Sequence, residues 1–147
     1  MFRKQLLPII LIAAALLAAC GSQSAAPTAA AVSGEEVNVD SGGAYTNITP
    51  AQLVEMLKSK EFFFVNTHIP YEGEIEGTDA FIAYDETAQQ LLAYPADKNA
   101  KIVLYCRSGR MSAIAAQELV NAGYANLWNL DGGMVAWEQA GYELMSK

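Results

Sequence analysis

Cysteine and basic residues are scarce in this sequence. Only Cys20 and Cys106 carry a thiol among 147 residues, and His68 is the single histidine. The 9 lysines and arginines stand against 16 aspartates and glutamates, which gives a formal net charge of −7. A body this acidic has no electrostatic attraction for a phosphate backbone, so we exclude binding to nucleic acid.

A long apolar span is also absent. The apolar run behind Arg3 and Lys4 covers residues 6–19, too short for a stable membrane helix but typical of a secretory signal. It ends in LAAC at 17–20, which resembles the bacterial lipobox, whose cysteine becomes the lipid-bearing first residue after cleavage. We therefore expect a signal peptide at 1–19 and an extracytoplasmic protein that lipid on Cys20 anchors to the bacterial cell membrane. The alternative is an uncleaved anchor helix.

The rest of the chain divides into a tether and one domain. Residues 20–43 are small and polar with almost no large apolar side chains, so we expect a flexible tether. Residues 44–147 have the size of one small domain, which we expect to be monomeric. If Cys20 carries lipid, Cys106 is the one free thiol and no internal disulfide can form.

Strand-like and helix-like segments alternate within this domain. Apolar runs predict strands at 44–48, 62–65, 81–83, 101–105 and 126–130. Helices are predicted after the Thr49 cap, from Asp85 through Leu92, at 111–122 and at 134–140. The alternation predicts an α/β fold, a mostly parallel five-stranded sheet with helices on both faces. Ligands of such sheets bind beyond the carboxyl ends of the strands, where Cys106 lies.

Cys106 opens a short loop between a buried strand and a helix. Unpaired N–H groups at the helix start favour negative charge, and Ser108 and Gly109 are small enough for the backbone to form an anion cradle. Arg107 and Arg110 add positive charge. These features favour the thiolate, the nucleophilic form, so we expect a partly exposed, reactive thiol. The alternative is an inert buried cysteine.

The segment YCRSGRMSAIAAQELVNAGYANLWNLDGGMVAWEQAGYEL, residues 105–144, resembles the second half of a rhodanese-like domain. The resemblance implies a sulfurtransferase in which Cys106 takes up sulfane sulfur as a persulfide and passes it to a nucleophile. It implies a substrate-binding cradle made of Arg107, Ser108, Gly109, Arg110 and Met111, with Ser112 at the start of the helix. The implied partners are a small sulfur donor and a thiol acceptor or protein persulfide, and no cofactor is implied.

Two other readings of the cysteine loop stay open. A rhodanese-like module can recognise a partner or an anion through this loop without turnover. Phosphatases of the Cys-x5-Arg kind also hold an anion between strand and helix, but they need an arginine six positions after the cysteine. Ser112 occupies that position here, so phosphatase chemistry is disfavoured.

The first half of the domain departs from the family pattern. Asn66 and His68 stand where the family commonly has Asp-x-Arg. His68 could donate a proton or help keep the thiolate charged, but we favour a structural hydrogen bond in place of the arginine. Irregular spacing argues against a metal site in the acidic stretch 72–86 and favours a solvated loop. If that loop overhangs the thiol, it would repel anionic donors such as thiosulfate and favour a less charged persulfide or a protein partner.

Overall fold

The computed structural model describes residues 32–146. The predicted signal peptide at 1–19, the lipid-bearing Cys20 and the first part of the predicted tether lie outside these residues. Across 32–146, no helix combines the length and apolar character needed to cross a membrane.

The described residues form one six-stranded sheet and three helices. The strands are β1 (Glu35–Asn38), β2 (Ala44–Ile48), β3 (Phe63–Asn66), β4 (Ala80–Phe81), β5 (Ile102–Tyr105) and β6 (Leu127–Leu130). The helices are α1 (Pro50–Leu57), α2 (Arg110–Asn121) and α3 (Gly133–Gln139). The strand order is β1-β2-β6-β5-β3-β4, and every pair is parallel except β1 with β2. The predicted α/β class with a mostly parallel sheet is confirmed.

The sheet has six strands rather than the predicted five, because β1 lies in the segment predicted as tether. β1 pairs antiparallel with β2, from Glu35 opposite Asn47 to Asn38 opposite Ala44. Val37 and Val39 pack against the core from this hairpin. Gly42 and Gly43 adopt φ values of 91° and 84°, which lets the chain turn back tightly. The ordered domain therefore begins before residue 44, and the glycine pair marks a hairpin rather than a spacer.

The helix predicted from Asp85 through Leu92 is also wrong. Two short 3-10 turns replace it, at Tyr84–Glu86 and Leu91–Ala93, and neither has a side-chain cap. Leu92 is fully exposed whereas Leu91 packs against the core, so the two leucines that the prediction placed on one helix face different surroundings. The neighbouring strand β4 covers only Ala80–Phe81, shorter than the predicted 81–83.

Alternate side chains of the central strands fill two cores on opposite faces of the sheet. On β5, Ile102 and Leu104 join the core beneath α2, whereas Val103 and Tyr105 join the core beneath α1 and α3. Every residue of β5 is buried, as expected for a parallel strand covered on both faces. The predicted placement of helices on both faces is confirmed, and the buried end of β5 fixes the position of Cys106.

Candidate active site

The carboxyl ends of β3 and β5 lie side by side. Asn66 is opposite Tyr105 in the register, and Thr67 donates to the Tyr105 carbonyl through its backbone N–H (2.8 Å) and its hydroxyl (3.1 Å). The chain then continues into Cys106 from one strand and into His68 from the other. The topology thus brings the two candidate residues to the same edge of the sheet.

The loop after β5 curls back onto its own cysteine. The Gly109 N–H donates to Cys106 Sγ at 3.1 Å, and Gly109 adopts φ 86° as the N-cap of α2. The Ser112 hydroxyl lies 3.5 Å from the same sulfur but 3.1 Å from the Gly109 carbonyl, so the amide is the better-placed donor to sulfur. The sulfur therefore lies at the amino end of α2, where it accepts a hydrogen bond from the loop backbone.

The turn between β6 and α3, together with the first residues of α3, packs against the backbone of this loop. The N–H groups of Met134 and Val135 donate to the carbonyls of Cys106 and Arg107, at 2.8 and 2.9 Å. A Cβ on Gly133 would lie 2.7 Å from the Arg107 carbonyl carbon and closer still to the Cys106 carbonyl oxygen. The sequence predicts residues 131–133 only as the turn that connects the strand at 126–130 to the helix at 134–140. Its supporting contact with the cysteine loop was missed, although the glycine pair was the signal that could have found it.

Cys106 is buried, with 1% of its surface exposed, so the expectation of a partly exposed thiol is wrong. The carbonyl of Cys106 is fixed by α3, its sulfur is turned toward the Gly109 amide, and Tyr105 before it is wholly buried. The loop therefore encloses the sulfur instead of presenting it on the surface.

The other predicted cradle residues differ in exposure and in pairing. Arg107, Ser108 and Arg110 are exposed, Met111 is half-buried and Ser112 is buried. Arg107 forms an ion pair with Glu72, whereas no ion pair joins Arg110 to another residue of the described range. The substrate-binding roles of these residues stay predictions.

Asn66 holds the segment after β3 through its side-chain amide. Its Nδ2 donates to the Gly73 carbonyl at 3.0 Å, and its Oδ1 accepts the His68 N–H at 3.0 Å. A neutral amide therefore ties Gly73 and His68 to the end of β3.

The structural hydrogen bond favoured for the His68 ring is absent from the described residues. The ring is buried, and within residues 32–146 neither ring nitrogen has a hydrogen-bond partner of good geometry. The predicted structural hydrogen bond comes instead from the backbone N–H of His68 to Asn66. Nε2 lies 3.3 Å from Glu72 Oε2, close enough for electrostatic attraction when the ring is protonated but poorly aligned for a hydrogen bond.

Glu72 was not singled out from the acidic stretch, yet it links both candidate groups. Its Oε2 contacts the Arg107 guanidinium and faces the His68 ring. The hydrogen bond from Arg107 holds the pKa of this carboxyl below its ordinary value, so Glu72 is ionised at neutral pH. No local sequence signal could have found this pair, because it joins residues 35 positions apart.

A cavity of about 300 Å³ lies beside the loop, on the side of Arg107. Its walls combine apolar and charged side chains, namely Glu72, Arg107, Met134, Val135, Glu138 and Leu144. Met134 and Val135 are the residues whose amides hold the cysteine loop, so the cavity shares a wall with the loop's support.

Comparison with known families gives a match over most of the domain. The family model described as "Rhodanese-like domain" matches residues 49–140. A protein named thiosulfate sulfurtransferase GlpE, from Pseudoalteromonas translucida, is 30% identical over 100 residues, covering 66% of this chain and 92% of that protein. Relatives from Synechocystis and Allochromatium vinosum are matched over only 55% and 46% of their own lengths. The relative from Allochromatium is named a sulfurtransferase and is 39% identical over 49 residues, 33% of this chain.

Solved structures show the same architecture. A rhodanese-like domain protein from Staphylococcus aureus superposes with a TM-score of 0.55 at 29% identity, covering 68% of this chain and 98% of that one. A Rhodopseudomonas palustris protein described as a possible tyrosine phosphatase gives a TM-score of 0.56 at 23% identity, covering 67% and 83%. At that identity the second likeness concerns the fold alone.

Proposed function

The chain belongs to the rhodanese-like domain family, and on that premise we propose that it is a sulfurtransferase whose sulfur carrier is Cys106. The thiolate attacks the outer, sulfane sulfur of a donor; an S–S bond forms on Cys106, the donor's S–S bond breaks, and the leaving group takes its electron pair. An acceptor thiolate then attacks the outer sulfur of the Cys106 persulfide. The new persulfide leaves on the acceptor, and the Cys106 thiolate is regenerated.

The observation that carries this proposal is the hydrogen bond from the Gly109 amide to Cys106 Sγ, at 3.1 Å. The same amide, at the start of α2, stabilises negative charge on the sulfur before attack and again when the sulfur becomes the leaving group. Because the loop backbone is fixed by α3, this stabilisation is in place before any substrate arrives. Relatives named sulfurtransferases support the same chemistry.

A binding module without turnover is the second candidate, and the burial of Cys106 favours it. At 1% exposure the sulfur offers a donor little surface for in-line attack. Phosphatase chemistry has less support. That class needs an arginine six positions after the cysteine, and the residue there is Ser112, which is buried.

Mass spectrometry of the full chain after incubation with sulfane-sulfur donors separates the candidates. A sulfurtransferase gains one sulfur atom on the peptide that contains Cys106 and loses it when a thiol is added. Cys106→Ser should abolish this gain, since a neutral hydroxyl is not a comparable nucleophile for sulfur. Cys20→Ser is the matched control and should keep it. No gain from thiosulfate or from an alkyl persulfide would leave the binding module as the better account.

We further propose that the domain works outside the cytoplasm, held to the cell membrane by lipid on Cys20. The support is the LAAC ending of the apolar run at residues 6–19. Fractionation of cells that express the full chain or Cys20→Ser tests this. The variant should leave the membrane fraction, and its retention there would contradict the lipid anchor.

A further inference from the structure

We propose that Glu72 weakens the preference of Cys106 for anionic sulfur reactants, relative to those that carry a cationic group next to the reacting sulfur. The inference deepens the proposed sulfurtransferase function, on which it rests for its biological meaning. Physically, the inference concerns the sign of the electrostatic potential that a small charged reagent meets as it approaches the Cys106 thiol.

The first observation is that Glu72 neutralises Arg107. Arg107 follows the cysteine directly, and free of a partner it would attract anions to the loop. Instead its guanidinium is paired with the Glu72 carboxylate. The lowered pKa of Glu72 keeps that carboxylate charged at neutral pH. Arg107 therefore contributes little net positive charge to the approach.

The second observation is the cavity beside the loop, where Glu138 adds a further negative charge. Its lining contains the carboxylates of Glu72 and Glu138 but only the one guanidinium of Arg107. Met134, Val135 and Leu144 provide apolar wall for a short alkyl chain. This combination suits a reactant with a methylene chain and an ammonium group better than a compact oxyanion.

Arg110, the first residue of α2, opposes this effect. It is exposed and has no ion-pair partner within residues 32–146, so it attracts anions. The two arginines and the two carboxylates therefore nearly cancel, and removal of the single charge on Glu72 leaves a net positive site. Exposed charges of this kind are each worth enough to change a rate constant by roughly two- to fivefold.

Two thiol reagents of opposite charge measure the preference without requiring sulfur transfer. The 2-aminoethyl and 2-sulfonatoethyl methanethiosulfonates react by the same step, in which the thiolate takes the alkylthio group and methanesulfinate leaves. In the full chain, the rate constants are read at the peptide that contains Cys106. We expect the cationic-to-anionic ratio to fall roughly threefold in Glu72→Gln, which keeps the size of the side chain and one acceptor oxygen.

The matched control is Glu61→Gln. Glu61 is exposed and precedes the amino end of β3, at the opposite edge of the sheet, so it makes the same change in net charge far from the thiol. Its ratio should equal that of the parent chain. Because each ratio is taken within one protein, a general change in thiol reactivity cancels. An unchanged ratio in Glu72→Gln, or an equal fall in Glu61→Gln, overturns the inference.

Sulfur donors then separate this inference from the proposed function. Thiosulfate is compared with the persulfides of cysteamine and 3-mercaptopropionate, which differ in bearing an ammonium or a carboxylate group. Glu72→Gln should raise persulfide formation from thiosulfate relative to that from cysteamine persulfide. If no donor loads Cys106 but the reagent ratio shifts, the charge preference stands and sulfur transfer fails. If donors load Cys106 and neither ratio shifts, sulfur transfer stands and the role of Glu72 fails.

Discussion

Two segments meet at the edge of the sheet where Cys106 lies, and they are held in different ways. The cysteine loop, residues 106–110, is fixed by backbone groups: the Gly109 amide on the sulfur and two α3 amides on the loop carbonyls. The rim segment, residues 66–79, also has backbone bonds, at Thr67, Glu74 and Asp79, but it depends in addition on side chains. Asn66 bonds the Gly73 carbonyl, and Asp79 accepts the Phe64 N–H at 2.8 Å.

Tyr105 joins the two segments. Its phenol accepts the Ile75 N–H at 3.0 Å and lies 2.7 Å from the Thr78 hydroxyl, while the next residue is Cys106 itself. Burial raises the pKa of Tyr105 to about 12, so the phenol stays neutral across the physiological range.

The difference in construction separates two properties of the site. Backbone contacts hold the sulfur and its hydrogen-bond donor, so exposed side chains on the loop can change without moving the thiol. In the rim, the charge nearest the loop is carried by the side chain of Glu72, so a single substitution there changes the charge around the thiol while leaving the loop backbone intact. The loop therefore sets the chemistry, and the rim sets which reactants approach.

The largest effect is expected from Gly133→Ala, which disrupts the contact between the start of α3 and the backbone of the cysteine loop. The new Cβ would overlap the carbonyl groups of Cys106 and Arg107, and the residue has φ 57°, a conformation unfavourable for alanine. We expect a loss of about 3 kcal/mol or more in the free energy of unfolding, since a clash adds to backbone strain. Urea denaturation measures it, and sulfur loading of Cys106 should fall with it.

Gly123→Ala is the control for backbone strain alone. Gly123 has φ 90° at the end of α2, but a Cβ there would meet nothing within 4 Å. It should cost about 1 kcal/mol and leave the loading of Cys106 unchanged. Equal losses in the two variants would show that the contact between Gly133 and the cysteine loop is unimportant.

The next effect concerns the side-chain support of the rim. Asn66→Asp restores the acidic residue common in the family, yet we expect it to destabilise this protein by about 1–3 kcal/mol. A carboxylate can still accept the His68 N–H, but it cannot donate to the Gly73 carbonyl and would face that oxygen while fully buried. Urea denaturation at neutral pH is again the measurement.

Asn38→Asp makes the same chemical change on exposed strand β1 and should alter the free energy of unfolding little. If Asn66→Asp proves as stable as the parent chain, the amide donor does not hold the rim segment.

The sequence predicts the loop better than the rim for the same physical reason. The apolar run 101–105, the cysteine after it and Gly109 are local signals of a buried strand followed by a tight turn, and the structure has both. The rim depends on contacts between distant residues, such as Glu72 with Arg107 and the antiparallel bridge from Glu74 to Met145. No short stretch of sequence encodes those pairs.

The errors in the fold have local causes of their own. Strand β1 was missed because three of its four residues are polar and exposed, so no alternating pattern marks a buried face. Gly42 and Gly43, which form the hairpin turn, were assigned to the end of the predicted tether. Burial of Cys106 was missed because it depends on α3 packing against the loop from 27 or more residues later in the chain, beginning at Gly133.

The smallest effect is expected from Arg110, the unpaired charge on the loop. Arg110→Gln keeps a long polar side chain at the first residue of α2 but removes the cation that opposes the acidic rim. The reaction of Cys106 with iodoacetate, an anion, should slow by roughly two- to threefold relative to its reaction with neutral iodoacetamide. The free energy of unfolding should not change, because the side chain is exposed and forms no ion pair within the described range. Lys101→Gln is the control, since it removes one positive charge at the amino end of β5, away from the sulfur. An equal change in both variants would show that only the net charge of the protein matters. The charges around the cysteine loop would then not decide which reagents reach Cys106.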